Sequence, residues 1–84
     1  MQIRFTAHAL RKFEVLKRHG FQVSKQQVVR VVEAPDRIDH SRLPLLIAQI
    51  SFDKRRVLRV VYKIDARMIV IVTFYPGMKS QYEK

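Results

Sequence analysis

Residues 45–75 read LLIAQISFDKRRVLRVVYKIDARMIVIVTFY, and this stretch decides the fold. Apolar, largely β-branched residues fill three runs, 45–52, 56–64 and 67–75, each of strand length and with a period near two. Between them lie DKRR and DAR, short polar segments suited to hairpin turns, and Pro44 marks the start of the first run. Three strands joined this closely form an antiparallel meander. DRID, at 36–39, is the candidate for a fourth strand at its edge.

Upstream of the meander the period lengthens. QIRF, at 2–5, is a short strand candidate with Ile3 and Phe5 on one face. Thr6 then suits an N-cap, the spacing predicts a helix to about His19, and Gly20 stands where a left-handed terminator belongs. Ala9, Leu10, Phe13 and Leu16 are its expected buried stripe. Ser24 and Gln27 form a capping box for a second helix, from Lys25 to about Ala34, ended by Pro35. Val23 and Val28 are placed to staple its start, and Val28, Val31 and Val32 to face inward. Valines form helices poorly, so packing must support this one. The fold class is α+β: two N-terminal helices on one face of a 3–4-stranded antiparallel sheet, a single domain over residues 1–84.

Charge is the strongest compositional signal. Lys and Arg total 17 against 7 Asp and Glu, giving +10, which attracts phosphate backbones, anionic lipid or an acidic protein. Residues 11–30 and 53–67 each hold six of these cations. The chain has no cysteine, which removes disulfides, thiolate chemistry and cysteine-based zinc sites. MQIRF carries no apolar run of signal-peptide length, and MIVIVTFY is too short to span a bilayer, so a cytoplasmic protein without membrane association is expected. The three histidines are far apart and no carboxylate cluster accompanies them, so no metal site and no cofactor is expected.

Phosphoester chemistry on RNA needs no metal if one group accepts the 2′-hydroxyl proton, another protonates the leaving oxygen, and cations hold the charge. Arg59 is the residue that draws most notice, because it interrupts an otherwise apolar strand, with Val57, Val61 and Lys63 on its face. One reading is a solvated cationic face; the other is a concave face gripping a phosphate through Arg59 and Lys63. In the tail TFYPGMKSQYEK, Thr73 and Tyr75 share a strand face, and Lys79 and Tyr82 follow an expected Pro-Gly turn. Either tyrosine suits base stacking or proton donation; core packing for Tyr75 and a fraying end for Tyr82 are the plainer alternatives. His8 falls in the first turn of the first helix, where the dipole disfavours a positive imidazole. A neutral imidazole serves as a base, or simply packs over the helix start.

FTAHALRKFEVLKRHGF, VVEAP, VLRVVYK and IVIVTFYPGMKSQY, in this order over Phe5 to Tyr82, resemble a small bacterial and archaeal domain family. That family is related to BrnT and, more loosely, to the RelE and ParE toxins. The resemblance implies a RelE-like fold and the toxin half of a toxin–antitoxin pair, cleaving mRNA without metal. It implies Arg59 as phosphate clamp, His8 or Lys63 as base, and Tyr82 or Tyr75 as stacking group or acid. Arg11, Lys12, Arg55, Arg56, Thr73 and Lys79 would then hold RNA, and an acidic antitoxin would cover the basic surface. A homodimer is compatible with this reading. The ParE branch implies the alternative, a non-catalytic protein that binds nucleic acid or inhibits a target such as DNA gyrase.

Overall fold

The computed structural model describes residues 2–83. Chain order is β1 (Gln2–Phe5), α1 (Ala7–Arg18), α2 (Lys25–Glu33), β2 (Arg37–Asp39), β3 (Leu46–Ser51), β4 (Arg56–Asp65), β5 (Met68–Met78) and α3 (Lys79–Tyr82). The helix starts follow the local chemistry read above. Thr6 Oγ1 accepts from Ala9 N at 3.0 Å, and Ser24 and Gln27 close a reciprocal capping box. Gly20 takes φ 78°, the left-handed conformation that ends α1 cheaply only for glycine. Ala66 and Arg67 form the two-residue turn of the β4–β5 hairpin, with φ 49° and 64°.

The sheet is larger than the meander alone. Its order is β1-β5-β4-β3-β2, five strands rather than three or four. It is mixed, because β1 pairs parallel with β5 over Gln2–Phe5 and Met68–Ile71. The expected all-antiparallel sheet is therefore corrected. A four-residue segment carries no mark of the strand it will join, and the two helices between β1 and the meander permit the parallel crossover. β2 pairs with β3 as the expected edge strand.

The core lies between the helices and one sheet face. Ala9 and Leu16 of α1 and Val28, Val31 and Val32 of α2 meet Ala48, Leu58, Val60, Tyr62, Ile71 and Phe74. Leu10 is 44% exposed and leaves the expected stripe, since Ala9 and Leu16, seven residues apart, point directly at the sheet and Leu10 falls on the flank. The Pro-Gly turn is also corrected: β5 runs through Pro76 and Gly77, opposite Leu58 and Val57. Proline is tolerated there because β1 pairs with β5 only as far as Ile71, which leaves this part of β5 on the sheet margin.

One irregularity positions the site. The β4–β5 register shifts between Val61 and Tyr62, with Val61 opposite Thr73 and Tyr62 opposite Ile71, so Val72 is the extra, bulged residue. Thr6 Oγ1 donates to the Val72 carbonyl at 3.0 Å while it caps α1. The start of α1 is thus pinned to the bulge in β5.

Candidate functional site

Arg59 is the centre of the sheet face opposite α1 and α2. The register places Gln49 of β3 and Tyr75 of β5 on either side of it. Its Nε donates to Tyr75 Oη at 3.2 Å, Nη1 donates to Gln49 Oε1, and Nη2 donates to Asp39 Oδ2 at 3.1 Å. The Tyr82 ring lies over the guanidinium, 4.0 Å from its centroid. Arg59 is 5% exposed, so it is neither a solvated surface cation nor an unpaired one. Burial works against its charge, but the bonds to Tyr75 and Asp39 outweigh this and hold it charged more firmly than usual.

Asp39 supplies the counter-charge from the edge strand. Its Oδ1 accepts from Ser41 N at 2.9 Å. Bonds from Ser41, then from Arg59, hold its carboxyl down to about 2, and it is ionised at neutral pH. Gln49, 1% exposed, turns its oxygen to Arg59 and leaves Nε2 without a partner, the one such buried side-chain atom among the described residues. An orphaned buried donor costs about 1–3 kcal/mol, so fixing Arg59 is weighted above satisfying Gln49.

α3 covers the cluster. Arg37 Nη1 donates to the Tyr82 carbonyl at 2.6 Å, and Lys79 N donates to the Arg55 carbonyl at 2.8 Å. The Tyr82 ring passes over Gly77, where a Cβ would collide with it. Between α3, β2 and β4 opens a cleft of about 410 Å³, lined by Asp39, Ser41, Arg42, Arg59, Tyr75 and Tyr82 among others.

The structure brings some expected residues together and separates others. Pinning of α1 to the bulge carries His8 over the margin of β5, where its Nε2 lies 3.2 Å from Thr73 Oγ1. Thr73 and Tyr75 project from one face two positions apart, about 7 Å along the strand. His8 beside Thr73 and Arg59 beside Tyr75 therefore meet β5 two positions apart. Lys63 is exposed and sits four positions beyond Arg59, about 13 Å away. Arg11 and Lys12 ride on α1, which covers the other face. Arg56 is tied to Asp53 through Nε and Nη2, both at 2.8 Å, and lies over Phe21 and Phe52. Arg55 and Lys79 meet through the backbone bond at the start of α3. Gln49, Asp39, Ser41 and Arg42 were missed. Gln49 was legible, since it interrupts the apolar run LLIAQISF as Arg59 interrupts its own. Asp39 was not, because a carboxylate on a short edge strand looks like any other surface acid.

Among the described residues, no three His, Asp and Glu side chains gather as metal ligands, and no helix is long and apolar enough to cross a membrane. Compared with protein families, characterised proteins and solved structures, the chain matches none.

Proposed function

We propose that this protein binds RNA and cleaves it without metal, as the toxin half of a RelE- or BrnT-type toxin–antitoxin pair held by an acidic antitoxin in the cytoplasm. The observation that carries this reading is the pair of contacts His8–Thr73 and Tyr75–Arg59, anchored two positions apart on one face of β5. Thr73 and Tyr75, the strand positions that hold these two contacts, are about 7 Å apart along β5, a spacing that suits a base and an acid serving opposite sides of one phosphorus. His8 Nε2 takes the proton of a ribose 2′-hydroxyl, whose oxygen attacks the adjacent phosphorus. The P–O5′ bond breaks, Tyr75 Oη–H donates its proton to the leaving oxygen, and a 2′,3′-cyclic phosphate and a 5′-hydroxyl result. Arg59 holds Tyr75 in place and offsets the charge on the equatorial oxygens. The net charge of +10 supplies sequence-independent attraction to the strand.

The test is cleavage of a long single-stranded RNA in EDTA. Wild type is expected to cut, with His8→Ala and Tyr75→Phe each slowed by about 10²–10⁴-fold while binding is retained. Absence of cutting by wild type, on free RNA and on ribosome-bound mRNA alike, refutes the nuclease reading. A second reading, a non-catalytic binder of nucleic acid or of a protein such as gyrase, is favoured by the internal engagement of Arg59. It gives RNA binding with no cleavage, or binding to the protein target alone.

A further inference from the structure

The cleft beside Arg59 is rich in donors and holds a single acid. Tyr75 accepts from Arg59 with its hydroxyl oxygen, which leaves its own O–H to donate, and it lines the cleft. Ser41 adds a hydroxyl and Arg42 a second guanidinium. Arg59 carries five N–H groups, of which three are engaged. In a site that attracts polyanions, Asp39 is therefore anomalous: among the described residues it is the only lining carboxylate, and it repels the ligand that the cations and hydroxyls around it attract.

The three partners of Arg59 differ in freedom. Gln49 is fully buried in the sheet, and Tyr75 is fixed in register beside Arg59. Asp39 stands on a three-residue edge strand, and its side chain is 35% exposed against 6% for Arg59. It can turn to water at small cost, while the guanidinium stays held by Gln49, Tyr75 and the Tyr82 ring. A carboxylate and a phosphate offer a guanidinium the same pair of oxygens.

We propose that the inner end of this cleft is a phosphate-group site, closed in the free protein by Asp39, which occupies the place on Arg59 that a phosphate oxygen takes on binding. Binding is then an exchange of anions. The phosphate displaces Asp39 from Nη2 and gains Tyr75 Oη–H and Arg42; the carboxylate moves into solvent, still held by Ser41 N. The inference rests on the RNA reading for its natural ligand and names the device that regulates that site. It holds equally for inorganic phosphate, a mononucleotide or an RNA strand, and the test separates these sources.

The experiment compares wild type with Asp39→Asn and with Asp65→Asn. Both variants add one unit of positive charge, but Asp65 lies at the far hairpin, six positions along β4 from Arg59. Affinity is measured for inorganic phosphate, a nucleoside monophosphate and a single-stranded oligonucleotide at one salt concentration. Asp39→Asn is expected to bind inorganic phosphate about fivefold more tightly than Asp65→Asn, the scale of one half-exposed ion pair. In wild type, added phosphate is expected to shift the carboxylate carbon signal of Asp39, a readout that needs no variant to fold. Equal affinities in the two variants with an unmoved Asp39 signal overturn the proposal, as does weaker binding by Asp39→Asn. If RNA binds wild type while these tests fail, only the exchange is lost and the RNA reading survives. If phosphate behaves as expected but the oligonucleotide does not bind, the site stands and the RNA reading falls.

Discussion

Replacement of Arg59 by methionine tests the arrangement most directly. The stem of Met fills much of the space of the Arg stem, so the loss is chiefly polar. Gln49 Oε1 becomes a buried acceptor without a donor, at about 1–3 kcal/mol. The bond to Asp39 contributes about 1 kcal/mol, discounted because that carboxylate is 35% exposed and can be solvated. The contact with the Tyr82 ring contributes about 1 kcal/mol. Together these give about 3–5 kcal/mol, a large fraction of the roughly 4–13 kcal/mol expected for 84 residues. Urea unfolding followed by far-ultraviolet circular dichroism measures it, and the melting temperature should fall by about 15 °C or more. The double variant Arg59→Met/Gln49→Met removes the orphaned acceptor too, and is expected to regain more than 1 kcal/mol over the single one. A loss below 1 kcal/mol for Arg59→Met, or no recovery in the double variant, would show that the cluster does not organise this face.

Two further outcomes follow from the same cluster. The carboxyl of Asp39 sits at about 2 in the folded protein against 3.8 ordinarily, so its stabilising contribution is complete above pH 4 and is lost as pH falls towards 2. After allowance for solvent screening this is about 1 kcal/mol, and Asp39→Asn should flatten that part of the stability–pH curve; a curve identical to wild type contradicts the assignment. Gly77→Ala places a Cβ against the Tyr82 ring and should move it off Arg59, seen as loss of ring-current shifts on the Arg59 side chain, with a cost of about 1 kcal/mol. Unchanged shifts would mean that the ring does not depend on the open space above Gly77.

Several parts of this structure were readable along the chain because their causes are local. Thr6, Ser24 with Gln27, and Gly20 each act within a few residues, so they set helix ends wherever the helix is packed. Period-two patterning gave β3, β4 and β5, and Arg59 stood out because a cation within apolar residues demands partners. The errors were of another kind. Leu10 and the Pro-Gly step were misjudged because the exposure of a helix flank, or of a strand margin, depends on what lies beside it.

By itself, then, the sequence determined the ends of α1 and α2, the strand-forming runs, the basic charge and the residue around which the opposite face is organised, but not α3. Only the tertiary structure decided the rest. The pairing of β1 with β5 spans 66 positions between Gln2 and Met68, and no local energy term specifies it. That pairing, with the Val72 bulge and the second bond of Thr6, delivers His8 to Thr73 across 65 positions. Asp39, Gln49, Tyr75 and Tyr82 converge on Arg59 from four separate segments, because a buried guanidinium gathers whatever acceptors and ring faces the sheet register brings within reach.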